Sequence, residues 1–205
     1  ALPIFHQLTP FLFTDPIIQN RFGLIFAVLK GDNKYRVVLN TGLNVAFKPS
    51  QFETLMNLLR VLRLSTFYST RNDGTILLSF DTKNQFSINV ADITQETENL
   101  LDLFYLGVVH GAIFITEDDT ETLRNRKTLK IIEKNGKKIV ETYNGVRFYL
   151  DIFLSGVSEA FVGYIHEMTP NEDWKNKVVV DVGASIGDTP LYYASMGAKV
   201  YAFEM

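Results

Sequence analysis

The stretch VVVDVGASIGDTPLYYASMGAKVYAFE, residues 178–204, is the most informative part of this chain. Val178 to Val182 is an apolar run with one acid, Asp181, inside it. A run apolar on both faces suits the middle of a parallel sheet covered by helices. Gly183 to Gly187 comes next, and Thr189 to Met196 has the length of a short helix, with Pro190 tolerated in its first turn. Gly197 stands where a helix closes on a left-handed residue, and Lys199 to Phe203 reads as a second strand. Connections this short predict a β-loop-α-β unit with parallel strands.

Each special residue in this unit has a chemical use. Gly183 and Gly187 let the backbone turn tightly and approach a ligand. The loop leads into a helix N-terminus, where amide donors collect. Glu204 ends the second strand, where an acid accepts hydrogen bonds from a ribose diol. The spacing separates cofactor classes. A nicotinamide or flavin fingerprint needs G-x-G-x-x-G, whereas Ala184 and Ser185 stand where the middle glycine would fall. Asp181, two residues before the first glycine, opposes a pyrophosphate and favours a cationic group.

The segment Asp181-Val-Gly183-Ala-Ser-Ile-Gly187-Asp188-Thr189, with Leu191 to Ala194, Gly197 to Val200 and Phe203-Glu204, resembles the FkbM family of S-adenosylmethionine-dependent methyltransferases. The close resemblance covers about 27 residues. It implies that Asp181, Gly183, Ala184, Ser185 and Gly187 shape the loop around the amino-acid end of S-adenosyl-L-methionine. It implies that Asp188 and Thr189 open the helix beside it, and that Glu204 holds the ribose. The implied activity is O-methylation of a small molecule or glycan. Two departures stand out. The family usually has proline after the ribose-binding acid, where this chain has Met205. The family domain also runs on through further strands that hold adenine, acceptor and any catalytic base. Residues 171–205 therefore read as an incomplete Rossmann-like domain, and these 205 residues alone are expected to be inactive. A non-catalytic assembly module and, behind it, a nicotinamide-dependent oxidoreductase are the rival readings.

For the whole chain the expected class is α/β: an N-terminal α+β extension over residues 1–170, then the start of the Rossmann-like domain over 171–205. Asn20 to Leu29 fits helix or strand. Gly31-Asp32-Asn33 reads as a turn, Tyr35 to Asn40 as a strand and Val45 to Phe47 as its partner. Ser50 and Glu53 make a capping box for a helix whose apolar face is Phe52, Leu55, Met56, Leu59 and Leu62. Thr75 to Phe80 and Phe86 to Val90 form a hairpin, with Asn72-Asp73-Gly74 a turn before it. A second helix runs from Asp92 or Thr94 to about Tyr105. Gly107 and Gly111 interrupt the apolar run after it, and Ala112 to Ile115 is a strand. Asn135-Gly136 joins Leu129–Glu133 to Ile139–Tyr143. A third helix spans Asp151 to Met168, with Leu154, Val157, Phe161, Ile165 and Met168 on one face.

Composition bounds the rest. Of 205 residues, 46% are hydrophobic, including 16 Phe and 9 Tyr, so a buried core is expected and disorder is not. A net charge of −3 argues against a nucleic-acid or anionic-lipid surface. The absence of cysteine excludes disulfides and thiolate chemistry and fits a reducing cytoplasm. The longest apolar stretch, Leu100 to Ile115, is broken by Asp102 and His110, so no membrane span is expected. His6 and His110 have no partners at metal spacing, and no metal is expected. Tyr164 and His166 read as packing or surface groups. No Ser-His-Asp order, nucleophile elbow or P-loop is present. Seven basic residues between 124 and 138 read as a solvated hairpin, or as an edge for a charged substrate. The two strands of the 178–204 unit are expected to self-associate unless the preceding chain covers them.

Overall fold

The computed structural model describes residues 16–81, 83–116, 125–151, 155–163 and 172–205. It is mixed α/β, and its contacts divide it into two units, residues 1–97 and 98–205.

In the first unit, the segment whose period fits helix or strand is helix α1 (Arg21–Lys30). Gly31, at φ 72°, closes it by donating to Val28 O at 3.1 Å. Strands β1 (Tyr35–Val38) and β2 (Asn44–Phe47) pair antiparallel, as expected, with Tyr35 opposite Phe47. Helix α2 (Phe52–Leu64) buries the five apolar residues of its predicted face. Its start differs from expectation. Pro49 to Gln51 forms a 3-10 turn, so Ser50 lies inside a turn and Gln51 is the N-cap. Pro49 supplies a φ already suited to turning and starts the turn early. The Gln51 side chain then accepts from the Lys48 amide at 3.0 Å, and Glu53 pairs instead with Arg60 at 3.2 Å. The predicted hairpin is β4 (Thr75–Ser79) with β5 (Phe86–Asn89), and a further strand, β3 (Phe67–Thr70), pairs with β4 through the Asn72-Asp73-Gly74 turn. No residue of β3 is fully buried, so it carries no alternation to read.

Helix α3 (Gln95–Val109) runs past the expected end at Tyr105 and through Gly107. Gly107 is a packing residue: a Cβ there would overlap the ring of buried Phe114. The helix closes one turn later at Gly111, at φ 78°, where the Ala112 amide reaches back to Gly107 O at 2.7 Å.

The second unit is built on a four-stranded sheet in chain order, β6 (Ile113–Ile115), β7 (Thr128–Lys134), β8 (Lys137–Thr142) and β9 (Arg147–Tyr149). β6 runs parallel to β7, and the other neighbours are antiparallel. Asn135 and Gly136 turn β7 into β8 with φ of 54° and 72°, the mirror-type turn their sequence predicts. Within the third predicted helix the described residues change type: α4 (Ser155–Ser158) widens into a π-turn over Glu159–Gly163. The wider turn buries Ala160, Phe161 and Val162 in succession. Leu154, Ile165 and Met168 lie outside the described residues.

Strand β10 (Val178–Val182), helix α5 (Asp188–Ser195) and strand β11 (Lys199–Phe203) form the predicted unit, with β10 and β11 parallel from Val178↔Lys199 to Val182↔Phe203. The expected domain boundary near residue 170 falls outside the described residues, and the contacts place this unit in one body with residues 98–163. The reason is α5. Its Tyr192 is 1% exposed, edge-on to Phe161 at 5.3 Å, and its hydroxyl accepts from Arg126 Nη2 at 2.8 Å. Tyr193 packs on Trp174 at 4.6 Å, Asn144 bonds Ser195, and the Tyr143 hydroxyl meets Met196 Sδ at 3.1 Å.

Candidate functional site

The site forms where β10 and β11 end side by side. Asp181 is half-buried, on the opposite side of β10 from the exposed Val178, Val180 and Val182. Gly183, at φ 87°, turns the chain out of the strand, and its amide and that of Ala184 both donate to Phe203 O, at 2.8 and 3.1 Å. Ser185 sits at φ 48°, and Gly187 at φ 83° is the N-cap of α5. A side chain at Gly183 or Gly187 would meet nothing within 4 Å, so the space beside both is open. The side chain of Glu204 then returns to the loop and accepts from the Ser185 amide at 2.5 Å. Loop and strand end are thus one structure: the successive amides of Gly183, Ala184 and Ser185 are satisfied by Phe203 and Glu204.

The predicted site residues divide. Asp181, Gly183, Ser185, Gly187 and Glu204 gather at the carboxyl ends of the strands. Ala184 is buried beneath the loop. Thr189 is half-buried in the first turn of α5. Asp188 opens α5 and is buried there: it is 9% exposed and its carboxylate lies against Gly156 of α4, so closely that a Cβ on Gly156 would overlap it. Asp188 therefore contributes its backbone and charge to the helix start while its side chain serves packing. Sequence reasoning missed Gly156, because nothing at position 156 shows which side chain will approach it, and it missed Phe203, whose contribution is a carbonyl.

Whether a sulfonium nucleoside fits these residues depends on the groups still available to a ligand. The amides of Gly183, Ala184 and Ser185 are occupied by Phe203 O and Glu204. The exposed carboxylate at the loop is Glu204, which suits a ligand rich in cationic and hydroxyl donors.

His110 lies at the end of α3 against Gly163. Among the described residues no cluster of three His, Cys, Asp or Glu has the arrangement of a metal site, and no helix is long and apolar enough to cross a membrane. His6, Tyr164, His166 and the acids of 117–121 lie outside the described residues. No family model, curated protein or solved structure matches this chain.

Proposed function

We propose that residues 178–204 begin a Rossmann-like cofactor domain that binds S-adenosylmethionine, and that the protein is a methyltransferase acting on a hydroxyl of a small molecule or glycan in the cytoplasm. The observation that carries this reading is the Glu204 carboxylate fixed on the Ser185 amide at the mouth of a glycine loop. When bound, the cofactor supplies a methyl group activated by positive sulfur. The chain's own part is positioning. Gly183 and Gly187 leave room for close approach, Asp181 favours the cationic end, and Glu204 retains lone pairs for a ribose diol. No side chain is assigned as the base that takes the acceptor proton.

Calorimetric titration with S-adenosylhomocysteine, NAD and ATP tests the reading. S-adenosylhomocysteine is expected to bind best. Binding of NAD with none of S-adenosylhomocysteine would refute it and restore the oxidoreductase.

A second reading rests on a separate observation. Val178, Val180, Val182, Tyr201 and Phe203 lie on one face of the β10–β11 pair and are 44–78% exposed. On that reading the unit is an assembly module, and a second copy covers this face. Sedimentation at several concentrations distinguishes the two: a monomer up to high micromolar concentration removes the assembly reading.

A further inference from the structure

The β7–β8 hairpin carries an unfavourable arrangement. Its two-residue turn sets Lys134 directly opposite Lys137, and like charges directly opposed across an antiparallel pair destabilise it. On the same face, two residues along, Ile132 lies opposite Ile139, which in turn pairs with Tyr149 of β9. Arg147 stands on that face too, two residues before Tyr149. Together these residues line a cleft of about 700 Å³. Part of the charge is compensated within the chain: Lys137 pairs with Asp151 at 2.9 Å and Arg147 with Glu141. The Lys137–Asp151 pair is solvent-exposed and readily exchanged, whereas the Glu141 side chain that holds Arg147 is only 17% exposed. Lys134 forms no ion pair among the described residues. The hairpin therefore sets Lys134 opposite Lys137, whose ammonium rests on Asp151 and over the Tyr149 ring, at the end of an apolar strip that is capped by that half-exposed tyrosine.

We infer that this cleft binds a phosphate monoester with an apolar body. Lys134 and Lys137 hold the phosphate between them, Arg147 lies on its flank, and the body rests on Ile132, Ile139 and Tyr149. The charge arithmetic selects the monoester. A ligand that takes Lys137 over from Asp151 meets two ammonium groups, and one group of charge near −2, which a monoester carries at neutral pH, compensates both. A carboxylate or phosphodiester brings half of that. The carboxylates of Glu133, Glu141 and Asp151 around the cleft repel an extended polyanion, which argues against a nucleic-acid strand. The inference does not depend on the methyltransferase reading, since the cleft shares no residue with the 178–204 segment.

The test uses the full chain titrated with inorganic phosphate and with phenyl phosphate, monitored by NMR and calorimetry. Phenyl phosphate is expected to bind roughly tenfold tighter than phosphate, through burial of its ring. Tyr149→Ala should remove that advantage and leave phosphate affinity nearly unchanged. Lys134→Gln should weaken both probes by roughly tenfold, the scale of a lost charge-assisted contact. Lys134→Glu supplies a readout that a purely structural lysine would not give: it should raise the melting temperature, by relieving the opposed charges, while abolishing binding of both probes. The inference is overturned if neither probe binds, if phosphate binds as tightly as phenyl phosphate, if Lys134→Gln leaves both affinities unchanged, or if Lys134→Glu lowers the melting temperature.

Discussion

Replacing Tyr192 tests whether the cofactor-type segment is seated on the second unit or stands apart from it. Tyr192 is 1% exposed, with edge-on ring contacts to Phe161 at 5.3 Å and 88° and to Tyr193 at 5.3 Å. Its hydroxyl accepts from Arg126 at 2.8 Å. Tyr192→Phe keeps the ring and removes one hydrogen bond from a charged donor, a loss of about 1.5 kcal/mol. Tyr192→Ala removes the ring as well. Truncating a buried aromatic costs about 3–5 kcal/mol from lost transfer energy and the cavity left behind, and loss of the two edge-on pairs pushes the value to the upper part of that range. Such a cost is a large fraction of the stability of a domain this size. Urea denaturation monitored by tryptophan fluorescence is a suitable assay, because Trp174 packs on the neighbouring Tyr193 at 4.6 Å and reports on this region. The midpoint should fall in the order wild type, Phe, Ala. A loss below about 1 kcal/mol for Tyr192→Ala would show that α5 does not hold the segment to residues 98–163, since a buried aromatic cannot be removed from a packed site so cheaply.

Glu204→Ala should weaken S-adenosylhomocysteine binding by about 1–3 kcal/mol while leaving the circular dichroism spectrum intact; an unchanged dissociation constant in calorimetry would remove Glu204 from the site. Gly107→Ala should destabilise by about 1–3 kcal/mol by overpacking, against the gain of about 1 kcal/mol that glycine-to-alanine gives in an open helix, because buried Phe114 fills the space; a raised melting temperature would contradict this. Asp81 is pushed up by partial burial but held below its ordinary value overall by hydrogen bonds from Asn84 and Lys83. Its contribution is therefore present above the unfolded carboxyl value of about 4 and lost as the pH falls through its lower folded value, so Asp81→Ala should lower the urea midpoint at pH 7 and converge with wild type in acid.

How much of the fold was legible in the sequence depended on whether one residue type or one period was enough to decide. Asn135-Gly136 fixed a mirror-type turn because both positions need positive φ and few residues tolerate it. The α2 face was legible because five apolar residues kept helical spacing against a single core. The start of α2 was not, since Pro49 moved the turn forward and Ser50 and Gln51 competed as caps. Gly107 misled for a physical reason: glycine lowers helix propensity, yet here tertiary packing with Phe114 overrides propensity and requires the missing side chain. The π-turn over Glu159–Gly163 was illegible, because helical spacing in the sequence does not distinguish a π-turn from an α-helix over five residues. The contact of Tyr192 with Phe161 and Arg126 was likewise not legible, because it joins residues far apart in the chain.

The candidate site was legible at the level of its loop, and its electrostatics came only with the structure. A strand leading through two glycines into a helix is ordinarily a site for anions, since helix amides and the dipole favour negative charge. Here the three loop amides that precede α5 are already engaged. Asp188 places an acid in the first turn of α5, Phe203 O takes two loop amides, and the Glu204 carboxylate takes a third. With Asp181 near the end of the adjacent strand, carboxylates flank the loop on both sides along the chain and across the strand pair. An incoming phosphate would have to displace Glu204 from Ser185 and then remain beside it, which costs both the hydrogen bond and the repulsion. A diol or a cation meets neither cost, because Glu204 can keep its bond to the Ser185 amide on one oxygen and offer the other. On the proposed reading, that asymmetry, more than the glycine spacing, speaks for a positively charged nucleoside over a dinucleotide.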